Sequence, residues 1–152
     1  MLQPWRSWDS LTENKRFVLD ASALIALILE ERGYKVVQAI FEKGEVLATP
    51  VAVAETLGIM RIKRGKPAQE VFDGLVGLGL EIVDLIPKDA LEIAFIQKQG
   101  DLAAQAMGIS RQLSMADASC LALGFRLGAR VIYSDSFWEK MNLPGIQLVA
   151  FR

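Results

Sequence analysis

The spacing of apolar positions changes several times along the chain, and each change marks an element. Phe17-Val18-Leu19 is a short apolar run that stops on Asp20, and Ala23 to Leu29 is apolar without a break. This predicts a buried strand over 17–19 that ends on a carboxylate, with a helix over about 21–30 starting at once. Glu30-Glu31-Arg32-Gly33 breaks that helix. Val36, Val37, Ile40 and Phe41 recur at helical spacing and predict a second helix over 34–43, and Val46-Leu47-Ala48 predicts a second strand. Thr49-Pro50 has the form of a helix start, a hydroxyl cap followed by proline in the first turn, and the helix runs to Arg64 before Gly65.

The second half continues in the same way. Val71, Phe72, Leu75 and Val76 predict a helix from Lys66-Pro67 to about Leu78, and the alternation in Leu80 to Leu85 predicts a strand. A helical pattern starts at Asp89 and passes Ile96, but Gly100 and Gly108 leave its length open. Ala118, Leu121, Ala122 and Phe125 predict a helix over 114–127, closed by Gly128. Arg130 to Tyr133 is a strand, and Ser134-Asp135 ends it as Asp20 ends the first. A short helix over 136–141 and a last strand over 147–151 follow. Strands alternate with helices throughout, which predicts an α/β fold with a mainly parallel sheet. Residues 1–16 contain Trp5 and Trp8 but no period, and read as an N-terminal extension on a single domain over 17–152.

Composition narrows the chemistry. The chain has 152 residues and is 52% hydrophobic, enough for one core. The net charge is -1, so any contact with nucleic acid must be local and aided by a cation. There is no histidine. That excludes Ser-His-Asp and Cys-His nucleophiles and the usual zinc sites. The lone cysteine, Cys120, has no disulfide partner and sits in an apolar helix, which suits a core position in a reducing cytoplasm. No apolar leader is visible. The run 17–29 contains Asp20 and is shorter than the ~20 residues a bilayer needs, so a cytoplasmic protein without membrane contact is expected.

Four acids stand out. Asp20 and Asp135 end strands, and each could simply cap the helix that follows. Asp117, in Ser114-Met115-Ala116-Asp117, matches a capping box but borders an apolar run. Glu55 lies mid-helix among Ala52, Gly58 and Ile59, where a carboxylate is costly unless it reaches water or meets a cation. In a parallel sheet, strand ends and the helix starts after them share one rim. Four carboxylates gathered there would repel one another, and a hard dication with oxygen ligands, Mg²⁺ or Mn²⁺, relieves this.

These residues, Val-Leu-Asp20-Ala-Ser22, Ala-Glu55, Leu-Ser114-Met-Ala-Asp117 and Val-Ile-Tyr-Ser-Asp135, resemble the PIN domain in order and interval. More narrowly they are similar to the VapC-like toxins of bacterial and archaeal toxin–antitoxin pairs. The resemblance covers about residues 17–150. It implies a three-layer α/β/α sandwich and an Mg²⁺- or Mn²⁺-dependent endoribonuclease that hydrolyses RNA with metal-activated water. It also implies a homodimer and a cognate antitoxin. Carried over by position, Asp20, Glu55, Asp117 and Asp135 are the metal-binding acids and Ser22 supports the first. Many relatives have Thr two places before the last acid, where this chain has Tyr133, and whether Ser134 supplies that hydroxyl is open. Arg61, Lys63 and Arg64, with Arg111, are candidates for RNA contact, against a plain solvated helix end. The strand-Asp-x-Ser pattern also resembles phosphotransferases that form an aspartyl-phosphate on the residue matching Asp20, although the second Asp usual there is Ser22. A PIN-like fold kept only for binding is a third reading.

Overall fold

A computed structural model describes residues 15–152. The expectation for residues 1–14, with Trp5 and Trp8, therefore lies outside the described residues. Arg16, assigned above to the extension, already belongs to the first strand.

Among the described residues five strands form one sheet: β1 (Arg16–Leu19), β2 (Glu45–Ala48), β3 (Leu80–Ile82), β4 (Arg130–Tyr133) and β5 (Gln147–Ala150). Every pairing is parallel, and the order is β3-β2-β1-β4-β5. The helices are α1 (Ala21–Leu29), α2 (Tyr34–Lys43), α3 (Pro50–Arg64), α4 (Ala68–Gly77), α5 (Asp89–Ala106) and α6 (Met115–Leu127), with a 3₁₀ turn at Ser136–Lys140.

Side chains alternate across the strands, which divides the core in two. Val18, Leu47, Val131 and Tyr133 pack with α5, α6 and the 3₁₀ turn. Phe17, Leu19, Val46, Ala48 and Ile132 pack with α1, α2, α3 and α4. This period of two makes each short strand apolar on both faces, as a sheet covered on both sides requires. The fold is the expected three-layer α/β/α sandwich. None of the described helices is long and apolar enough to cross a membrane.

One element differs from the sequence reading, and another, left open there, takes a definite length. β3 stops at Ile82, not Leu85. Beyond it only Val83 N still bonds the neighbouring strand, to Ala48 O at 2.9 Å, and the Asp84 carbonyl turns to Arg126 instead. α5 runs unbroken through Gly100 to Ala106. A Cβ at Gly100 would lie 3.3 Å from Leu113 Cβ and 3.5 Å from Met141 Sδ. The glycine marks close packing of the helix and not its end. Met60 and Trp138 are buried packing residues, and Cys120 lies in the core as expected.

The sheet order locates the crevice. From β1 the chain winds one way to β2 and β3, then returns to the other side of β1 for β4 and β5. The carboxyl ends of β1 and β4 therefore flank the switch point, where open α/β sheets bind their ligands. Asp20 and Asp135 follow those two ends.

Candidate metal centre

Asp20 is buried, only 3% exposed, directly after β1. Its backbone N donates to Ile132 O of β4 at 3.2 Å, which pins the strand end across the switch point. Its side chain caps α1. Oδ1 accepts from Ala23 N at 2.8 Å and from Ser22 Oγ at 2.6 Å. Ser134 Oγ in turn donates to Ser22 Oγ at 3.0 Å. Ser134 thus joins the hydroxyl chain behind Asp20. Tyr133 does not: its hydroxyl donates to Glu139 Oε1 at 2.7 Å and its ring stacks on Trp138 at 5.2 Å.

Asp117 sits in the first turn of α6, where Ser114 Oγ accepts its backbone N–H at 3.0 Å. Below these acids, the buried Thr49 and Ser119 share a hydrogen bond of 2.8 Å, and Thr49 also caps α3 through Ala52 N. That contact fastens the start of α3 to the start of α6. Thr49 stood out in the sequence only as a helix cap and Ser119 not at all, because a buried hydroxyl pair between distant segments has no local pattern.

Glu55 lies one turn and a half into α3 and is exposed. Of the alternatives left open for this carboxylate, the structure shows that its side chain reaches water. Its charge nevertheless acts on the other acids. The Asp20 carboxyl is pushed up from 3.8 to about 7, chiefly by burial. Hydrogen bonds from Ser22 and Ala23 oppose the rise, and the charges of Asp117 and Glu55 add to it. Asp117 is pushed up to about 6, again chiefly by burial. Its bond with Ser114 opposes this, Glu55 and Asp135 add to the rise, and Arg111 lowers it. Acidic neighbours thus add to burial in making ionisation harder for Asp20 and Asp117.

Asp135 follows β4 and is part-exposed. Its Oδ1 accepts from Phe137 N at 3.0 Å and caps the 3₁₀ turn. Its Oδ2 accepts from Arg111 Nη2. Both strand-end acids therefore do cap, as their positions suggest, and each caps through Oδ1, which leaves Oδ2 outside the cap.

The donor set fits a hard dication in kind. It is all oxygen, it carries surplus negative charge at a switch point, and its buried member resists ionisation without a cation. It is not a ready-made cage. Among the described residues no three acids are placed to hold a metal ion together.

The basic candidates fall in two places. Arg61, Lys63 and Arg64 are exposed at the end of α3. Of these, Lys63 lines a groove of about 300 Å³ together with Ser22, Ile25, Ile59, Ile62 and Arg152. Arg152 lies 3.2 Å from Glu31, which also lines the groove and whose other oxygen is 3.9 Å from Lys63. Arg152 was missed in the sequence, being the last residue and isolated from any motif. Arg111 lies at the acids themselves.

The PIN domain model matches residues 17–142, and the chain belongs to that family. No curated protein matches the sequence. Among solved structures, the chain is similar to VapBC2 from Rickettsia felis bound to a DNA fragment from its promoter. The TM-score is 0.65 at 14% identity, over 89% of this chain and 98% of that one. It is similar to the Sarcin-Ricin loop cleaving toxin VapC20 of Mycobacterium tuberculosis, with a TM-score of 0.58 at 13% identity, over 86% and 98% of the two chains. It is also similar to DNA-bound VapBC from Salmonella typhimurium, with a TM-score of 0.58 at 12% identity, over 90% and 98%. At these identities the likeness is one of fold.

Proposed function

We propose that this chain is a Mg²⁺- or Mn²⁺-dependent endoribonuclease of the toxin kind, working in the cytoplasm as a homodimer with a cognate antitoxin. The observation that carries the reading is the buried Asp20 at the sheet's switch point, facing the charges of Asp117 and Glu55 with no side-chain cation of its own among the described residues. A fold that needed Asp20 only as a cap would not crowd it with acids. RNA as substrate and an antitoxin as partner are supported by the similar structures, one a loop-cleaving toxin and others toxin–antitoxin complexes.

Asp20, Glu55, Asp117 and Asp135 would hold the dication. Bound there, it would supply Lewis acidity toward the scissile phosphate and make an adjacent water more acidic. The chain's own groups supply the rest. Ser22 and Ser134 fix the Asp20 carboxylate so that Oδ1 is committed to the helix and Oδ2 is directed by geometry alone. The Asp117 carboxylate, held near water, orients the attacking water by hydrogen bonding. Lys63 and Arg152 along the groove from Ser22 offer charge to an RNA backbone.

The aspartyl-phosphate reading is disfavoured by burial. A nucleophile must be reached by its phosphodonor, and Asp20 is 3% exposed with one oxygen committed to two hydrogen bonds. The deciding experiment is cleavage of a single-stranded RNA with Mn²⁺, with EDTA, and with Asp20→Asn. Cleavage that survives EDTA or the substitution unchanged sinks the metal-site reading. A wild type that never cleaves any RNA, yet binds it, leaves the fold as a binding module.

A further inference from the structure

Among the described residues, Asp135 is the acid of the four that pairs with a side-chain cation. Both its oxygens are engaged, Oδ1 by the backbone N of Phe137 and Oδ2 by the Arg111 guanidinium. The first bond is part of the 3₁₀ turn and cannot be given up without undoing the cap. The Asp135 oxygen that the cap leaves over for a cation is Oδ2, the atom that Arg111 holds.

Arg111 is suited to yield it. The ion pair is open to water on both sides, 37% and 33% exposed, and such pairs are weak. A monovalent guanidinium loses to a dication shared by several carboxylates. Release would not free the side chain into bulk water. Its guanidinium lies over the ring of Phe137, 4.3 Å from the centroid, and that ring is buried. The head group can turn while the stack holds it at the rim of the site. Beside it lies an open cleft of about 600 Å³ that Arg111 itself helps to line, where Gln105, Ser110 and Gln112 offer donors to a phosphate backbone and the Asp101 carboxylate opposes one at its own position. A planar fork of donors matches a phosphate better than a point charge does.

We propose that Arg111 is a positioning residue with two alternative partners: Asp135 before a dication binds, and the RNA phosphate after the dication has taken Asp135. One guanidinium thereby opposes metal binding and supports RNA binding, and the two loads are coupled in order. The inference rests on the proposed metal site.

The test is calorimetric titration of Mn²⁺ into the full chain without RNA, comparing wild type with Arg111→Met, Arg111→Gln and Asp20→Asn. The neutral Arg111 variants bind Mn²⁺ about three- to tenfold more tightly than wild type, the size expected for removal of one exposed ion pair and its competing charge. The same variants, measured by fluorescence anisotropy on a single-stranded RNA oligonucleotide in Ca²⁺, bind more weakly, and the log–log salt slope shrinks by about one. The opposite signs are the signature, since an arginine that merely braced the fold would weaken both. Making two neutral variants ensures that the one with a wild-type melting temperature carries the comparison. Mn²⁺ affinity equal to or below wild type in that variant overturns the proposal while leaving the metal site standing. Mn²⁺ binding that is absent from wild type, or unchanged in Asp20→Asn, overturns the metal site and this inference with it.

Discussion

Asp20 and Asp89 are equally buried, each 3% exposed, and their surroundings are opposite. Asp89 opens α5 with one oxygen 3.0 Å from Arg126 Nε and the other accepting from Ile86 N at 2.8 Å. Arg126 also donates to Asp84 O at 2.8 Å, so one cation ties the loop after β3 to α5 and α6. Asp20 has a hydroxyl, one backbone N–H and, among the described residues, no cation. Its charged neighbours are acids. Burial by itself therefore does not mark a working carboxylate. What neutralises the charge differs: Asp89 meets a cation within the fold and serves the fold, while Asp20 meets none among the described residues, and on the proposed reading its cation comes from outside.

The contrast can be broken most directly by isosteric amides. Asp20→Asn keeps the cap, because the amide oxygen can still accept from Ala23 N and Ser22 Oγ, and removes the charge. RNA cleavage in Mn²⁺ should fall at least about 100-fold. The melting temperature in EDTA at pH 8 should rise at the same time, because a charge that the site resists is gone. Asp89→Ala should do the reverse, costing about 2–4 kcal/mol in chemical denaturation by stranding the part-buried Arg126. Its Mn²⁺ affinity should stay at the wild-type value. An Asp20→Asn protein that melts earlier, or an Asp89→Ala protein that loses metal, would erase the distinction.

A pH series tests the same point on the unmodified chain. Asp20 and Asp117 are raised to about 7 and about 6, so the folded protein holds protons that the unfolded chain releases near 3.8. Their contribution is full below about pH 4 and is lost as pH rises through 6 and 7. Stability in EDTA should therefore decline between pH 5 and 8, on the order of 2–4 kcal/mol in total. Asp20→Asn should flatten that slope, and Mn²⁺ should restore more stability at pH 8 than at pH 5. A flat profile in wild type would mean that the acids are neutralised internally after all.

Smaller effects separate the hydroxyls. Ser22→Ala removes the donor to Asp20 Oδ1 and the link to Ser134, and should weaken Mn²⁺ binding about 10-fold in calorimetry. Tyr133→Phe loses only the bond to Glu139, outside the acids, and should leave cleavage rates within about twofold while costing about 1 kcal/mol of stability. Equal losses of activity in these two variants would place the Tyr133 hydroxyl in the site.

Much of the fold was legible because the signals are local. Phe17-Val18-Leu19 before Asp20, and Val131-Ile132-Tyr133 before Ser134-Asp135, announce strands that end on acids. Thr49-Pro50 and Ser114 announce the helix starts that the structure contains. Gly100 left the length of α5 open because a glycine that allows close packing and a glycine that ends a helix look alike in one sequence. β3 was read too long because alternation continues to Leu85 while the hydrogen bonding does not. At Glu55 the neighbours in sequence were apolar, yet its own side chain reaches water. The facing of one helical residue depends on what packs beside the helix.

Amino-acid order alone determined the α/β alternation, the caps and the absence of histidine, and with that absence the exclusion of histidine-based chemistry. These follow from backbone geometry and side-chain chemistry within a few residues. Tertiary structure alone decided that β1 and β4 are neighbours, and that the starts of α3 and α6 come together, so that Asp20 feels Asp117 and Glu55. It also decided that Ser134 and not Tyr133 backs Ser22, and that Arg111 holds Asp135. Charge interactions and hydrogen bonds act through space over a few ångströms, and a linear sequence does not carry those distances until the sheet has set them.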